Sequence, residues 1–160
     1  MKVFRLLLFC VLLAACLLGC EGQKGDYFAP FRGCFSAEVT GRWQGEEFSA
    51  RFCREKSGTT VTFYAPRDLC DTVIFKDTEG NIFLSVGELS LPLQGERADA
   101  YGALLSLFPE EGEVQSVRAE NGVTHVTGEG FSFALSADGL PLSAQNAVVS
   151  VRVSAWEANS

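Results

Sequence analysis

Apolar and polar residues alternate at period two through most of the chain, the signature of strands with one buried face. Phe35, Ala37 and Val39 alternate with Cys34, Ser36, Glu38 and Thr40, while Phe48, Ala50 and Phe52 alternate with Glu47, Ser49, Arg51 and Cys53. The turn-forming stretch Gly41-Arg42-Trp43-Gln44-Gly45 separates the two runs, which together predict an opening hairpin with one apolar face. Further strands are predicted over 59–65 (Val61, Phe63, Ala65), 72–77 (Val73, Phe75) and 81–86 (Ile82, Leu84, Val86), divided by Pro66 and by Glu79-Gly80-Asn81. In the second half Asn121-Gly122 joins strands at 114–119 and 123–128, a dipeptide suited to the left-handed backbone of a two-residue turn. Asp138-Gly139 joins 131–136 to 140–145, and a last strand over 147–155 buries Val149, Val151 and Val153.

Between the halves the period changes. Tyr101, Leu104, Leu105 and Phe108 fall at i, i+3, i+4 and i+7 with Pro109 just beyond, which predicts an amphipathic helix from Asp99 to Phe108. So short a helix is marginal alone and must lie on an apolar surface, and the inner face of a curved sheet is the surface available. The expected fold class is mainly β with one or two short helices. About ten strands form a strongly curved antiparallel sheet, an unclosed half barrel around a short central helix.

The N-terminus follows a different rule. Lys2 and Arg5 precede the apolar run from Leu6 to Cys16, too short for a membrane-spanning helix of ~20 residues, and Glu21 to Asp26 are abruptly polar. At the junction, Leu17-Leu18-Gly19-Cys20 resembles the lipobox of bacterial lipoproteins. The resemblance implies that residues 1–19 are a signal peptide and that Cys20 carries acyl chains such as palmitate. Residues 20–29 are then a lipidated tether and residues 30–156 a single domain, anchored on the extracytoplasmic face of the cell membrane. Leu13-Ala14-Ala15-Cys16 fits the same pattern, but cleavage there would leave Leu-Leu-Gly on the mature end and shorten the apolar run. Of 13 Lys and Arg against 20 Asp and Glu, loss of Lys2 and Arg5 leaves 11 against 20 and moves the net charge from −7 to −9. Such a chain repels phosphate backbones and anionic head groups, which excludes nucleic acid as a partner and leaves membrane attachment to the anchor.

Across residues 30–156 a second resemblance emerges. The aromatic strand pair that opens the domain, Val61-Thr62-Phe63-Tyr64-Ala65-Pro66 followed by Leu69, the central helix near Leu104 and Leu105, and Ser136-Ala137-Asp138-Gly139-Leu140-Pro141 before a Val-rich last strand resemble the LolA-like lipoprotein superfamily. That group includes periplasmic lipoprotein carriers and mycobacterial lipid-carrying lipoproteins. The resemblance implies an unclosed barrel whose concave face, lidded by helices, holds acyl chains. Gly25 to Arg32 leaves little room for the long N-terminal helix of the soluble carriers, so the cavity is smaller or filled by its own side chains. The competing fold is a lipocalin, for which Gly41-Arg42-Trp43 offers the Gly-x-Trp found near the first strand.

Catalytic constellations are sparse. The single histidine, His125, lies on the strand face opposite Thr124 and Val126 and is expected to be exposed. Glu46-Glu47 and Glu110-Glu111 fall in predicted turns as solvated charge. Neither a Gly-x-Ser-x-Gly elbow nor a phosphate-binding glycine loop occurs, and the mature cysteines form no close pair that would suit zinc. No enzyme activity, cofactor or metal is expected. If Phe35 faces Phe52, then Cys34 faces Cys53 on the outer side as a candidate disulfide, an alternative to three reduced thiols with Cys70 unpaired.

Two functional classes remain. In the first, Phe35, Val39, Phe48, Phe52, Phe63, Phe75, Leu84, Leu104, Phe108, Phe131 and Phe133 line a cavity that binds or carries a lipid or acyl chain. In the second they are only a packed core, and the protein is an accessory or scaffold lipoprotein that holds an envelope or spore-coat protein. Free volume under the sheet distinguishes the two.

Overall fold

The first hairpin turns at Gln44-Gly45, whose φ angles of 52° and 92° both lie in the left-handed region that a two-residue turn needs. The computed structural model describes residues 25–159. The expected signal peptide, Cys20 and the polar stretch as far as Lys24 lie outside the described residues. Strands β1 (Cys34–Trp43) and β2 (Glu46–Glu55) form that hairpin, followed by β3 (Gly58–Ala65), β4 (Thr72–Asp77), β5 (Ile82–Val86) and β6 (Leu89–Leu93). Helix α1 (Glu96–Leu105) leads to β7 (Val114–Glu120), β8 (Val123–Gly128), β9 (Phe131–Leu135), β10 (Pro141–Asn146) and β11 (Val149–Asn159).

All eleven strands join one sheet in the order β6-β5-β4-β3-β2-β1-β11-β10-β9-β8-β7, with β6 and β7 as free edges. Each neighbouring pair is antiparallel. The sheet is an unclosed half barrel with α1 against β3, β4 and β5. A lipocalin closes eight strands into a barrel, so the lipocalin alternative is corrected by the two free edges.

Several details depart from the sequence pattern. β1 continues through Gly41, Arg42 and Trp43, which the pattern assigns to the turn. Gly41 suits the strand for a steric reason: a Cβ there would stand 2.1 Å from the Ser150 carbonyl oxygen on β11. β6 escapes the pattern because Pro92 argues against a strand, and its place at the sheet edge is where a proline is tolerated. Helix α1 starts three residues before Asp99 and ends before Phe108, which is buried in the connection that follows. Asn146 holds that helix to the sheet, donating from Nδ2 to the Ala103 carbonyl (2.7 Å) while its Oδ1 accepts from the Val148 and Val149 amides.

The first hairpin is slipped by two residues from the expected register. Phe52 faces Ala37, and Cys53 faces Ser36 rather than Cys34. Cys34, Cys53 and Cys70 are all free thiols, so the facing Cys34–Cys53 pair is corrected. The physical reason is the short turn: with Trp43 opposite Glu46, every pair down the ladder is set by Gln44-Gly45. Phe75 is a second correction. Thr72 and Ile74 are the buried positions of β4, so Phe75 stands on the outer face, stacked on Phe83 of β5 with ring centroids 6.3 Å apart.

Candidate binding face

The concave side of the half barrel gathers most of the candidate cavity residues. Phe35, Val39, Phe48, Phe52, Phe63, Leu104, Phe108 and Phe133 are buried there, and Leu84 and Phe131 pack against them half-buried. Three pieces cover the face. Helix α1 supplies Leu104 and Leu105, the connection after it supplies Leu107 and Phe108, and a 3-10 turn before β1 (Ala29–Phe31) brings in Phe28 and Phe31.

The centre is an aromatic cluster. The Phe31 ring lies 5.7 Å from Phe108, 4.9 Å from Phe133 and 5.8 Å from Trp156, while Trp156 stacks on Phe35 at 4.3 Å. Phe108 also meets Phe52 edge-on at 5.3 Å. Edge-to-face and offset contacts of this kind add ~0.5–1.5 kcal/mol per pair beyond the area buried. Phe31 and Leu104 have no accessible surface, and Phe35, Phe52, Phe63 and Phe108 keep 1% each. Side chains so enclosed leave little of the concave face open to solvent.

Phe28, Phe31 and Trp156 were not legible as members of this set. Trp156 has the wrong parity for the run Val149, Val151, Val153. A bulge restores it: Glu38 pairs with Ala155 and Val39 with Val153, leaving Ser154 as the extra residue, its hydroxyl donating to the Glu38 carbonyl at 3.0 Å. Phe28 and Phe31 are three apart around Pro30, a spacing that could have marked one helical turn.

Arg54 was missed as well. It occupies the inward parity two residues after Phe52 at the open end of the core, with its side chain 13% exposed. Nη1 donates to the Phe31 carbonyl (2.6 Å) and Nη2 to the Phe108 carbonyl (2.9 Å), and the guanidinium lies 5.1 Å over the Phe35 ring. One side chain thus holds two of the three covering pieces. Burial draws its pKa down from the usual arginine value, and the neighbouring Glu110 carboxylate, 3.2 Å away, opposes the shift. Glu110 is therefore a structural partner rather than idle turn charge.

The surface clefts have a different chemistry. One of about 810 Å³ runs over the outer face between Thr40, Arg42, Glu47, Ser49 and Arg152. Another of about 790 Å³ lies beside Arg32, Lys76, Asp77, Glu110 and Glu111. Both are open, and their walls mix charged and polar side chains with apolar ones. Asp77 shapes the β4–β5 turn at the second cleft: its carboxylate accepts from the Asn81 side chain and from the Glu79 and Asn81 amides, bonds that hold its pKa below the ordinary aspartate value. His125 is exposed on β8, as expected. Among the described residues no three or more His, Cys, Asp and Glu are grouped to hold a metal ion, and no helix is long and apolar enough to cross a membrane.

No protein-family model matches the chain, and no curated protein sequence does. Among solved structures it is similar to an uncharacterized conserved protein from Thermus thermophilus, at 15% identity and a TM-score of 0.53 over 84% of this chain and 84% of that one. A LolA superfamily protein from Nitrosomonas europaea is similar at 11% identity and a TM-score of 0.42, over 81% of this chain and 87% of that one. An outer membrane lipoprotein-sorting protein domain from Vibrio parahaemolyticus is similar at 12% identity and 0.46, over 84% and 92%. At 15% identity the first likeness shows the fold alone, and the two looser ones add nothing to it.

Proposed function

We propose that the protein is a non-enzymatic envelope lipoprotein, tethered through acylated Cys20, that acts as an accessory protein holding a protein partner at the extracytoplasmic membrane face. The observation that carries this reading is the filled concave side, where Phe28, Phe31, Phe108 and Trp156 occupy the space that an acyl chain would need. Contacts must then be made by the outside of the molecule. Val86 and Leu89 face each other at the β5–β6 turn, exposed by 54% and 60%, an apolar surface that water alone covers poorly. The acyl-carrying reading needs a void beneath the sheet, and the rings named above stand where it would be.

Native mass spectrometry of tag-free residues 21–160, purified gently, tests the choice. The expected mass is that of the polypeptide alone; a retained lipid adduct would replace the accessory reading with the carrier one. Photo-crosslinking in the native host from Leu91, exposed on β6, is expected to give one discrete protein adduct that Leu142, exposed on β10, does not give. Loss of that contrast would remove the partner from this edge.

A further inference from the structure

We propose that residues 26–32 form a detachable strap, which plugs the concave face with Phe28 and Phe31 and leaves it as a unit while the eleven-stranded sheet stays folded. The strap belongs to no strand, and the sheet is complete without it. Its backbone hydrogen bonds are local: Ala29 donates to Asp26, Phe31 to Phe28 and Arg32 to Ala29 within it, and Tyr27 to Gly25 just before it. Arg32 forms its ion pair with Asp26, within the strap itself.

The polar ties to the rest of the molecule are few. Arg54 donates to the Phe31 carbonyl, and Arg32 Nε donates to the exposed Glu110 carbonyl at 3.1 Å. What otherwise holds the strap is the burial of Phe28 and Phe31, with Tyr27 packed half-buried against the core. Phe28 lies edge-on to Phe131 and Phe133 at 5.7 and 5.6 Å, and Phe31 fills the centre of the aromatic cluster. Between strap and β1 stands Gly33 with φ 86°, a conformation natural to glycine, and no atom lies within 4 Å of where its Cβ would be. A glycine hinge in open space between the strap and β1 lets the segment swing without breaking a strand pair. Helix α1, by contrast, is tied to strands at both ends and to the β10–β11 turn through Asn146.

Release would uncover Phe108, Phe133 and Trp156, and a displacement of the anchored end would reach Phe28 and Phe31 before any strand. Only this last link rests on the anchor reading.

Hydrogen exchange followed by mass spectrometry on the full-length protein in nanodiscs reads the opening directly. Peptides covering 26–32 are expected to exchange at least ~10-fold faster than those of β1 and α1, with weaker dependence on denaturant, as a sub-global opening does. Arg54→Lys is expected to speed exchange in the strap and leave β8 and β9 unchanged. A thiol introduced by Phe28→Cys, with Cys34, Cys53 and Cys70 replaced by serine, is expected to react with maleimide ~10-fold faster than one introduced by Leu104→Cys. Exchange of the strap in step with β1 and α1 would overturn the proposal, and wild-type exchange decides if a variant fails to fold. The same measurement on protein released by Cys20→Ala reads the strap without the anchor, so failure of one reading is distinguishable from failure of the other.

Discussion

Arg54 combines a position that points inward with a charge that argues outward. Its place two residues after Phe52 is legible in the alternation of β2, yet nothing local announces the two carbonyls it satisfies, because Phe31 and Phe108 are brought to it by the fold. Arg54→Ala is expected to lower stability by about 2–4 kcal/mol in urea unfolding, since it removes two charge-assisted bonds and leaves two carbonyls without a partner in the core's open end. Arg54→Lys should recover less than half, as one ammonium cannot reach both acceptors in the fork geometry of the guanidinium. Because the acceptors are neutral, high salt should leave most of the loss in place. A loss that vanishes in salt would assign the effect to Glu110 instead.

At the scale of elements, alternation located ten of the eleven strands, and its failures have identifiable causes. The slipped register of the first hairpin followed from counting Gly41 to Trp43 as turn, when the close approach of β1 to β11 gives Gly41 a strand role. Phe75 was assigned inward because β4 is apolar on both faces, so periodicity alone could not orient it. Trp156 was lost to a one-residue bulge, and the strap to its lack of any period at all. The helix was found from Leu104 and Leu105, which are core residues rather than a loose lid. Leu104→Ala is therefore expected to cost about 2–5 kcal/mol, with the midpoint of urea unfolding unaffected by added fatty acid. Stabilisation of the wild type by fatty acid, lost in the variant, would instead place a ligand beneath α1.

On the proposed function, the packed domain is joined to the membrane through acylated Cys20. Cys20→Ala in a native host is expected to release or mislocalise the protein, while Cys16→Ala leaves a processed membrane form; fractionation and mass measurement of the membrane species would show the reverse if acylation occurs at Cys16. Anchored as proposed, many copies would share one plane at high local concentration. The unclosed sheet then carries a hazard, because each edge strand is a template for pairing with a neighbour's. β6 meets this with Pro92, which has no amide hydrogen to offer, and β7 with Arg118 and Glu120 on the part of the strand beyond Val114, which is exposed. The consequence of these residues is collective: in a crowded population of open sheets, such as the proposed anchoring would create, they oppose polymerisation edge to edge.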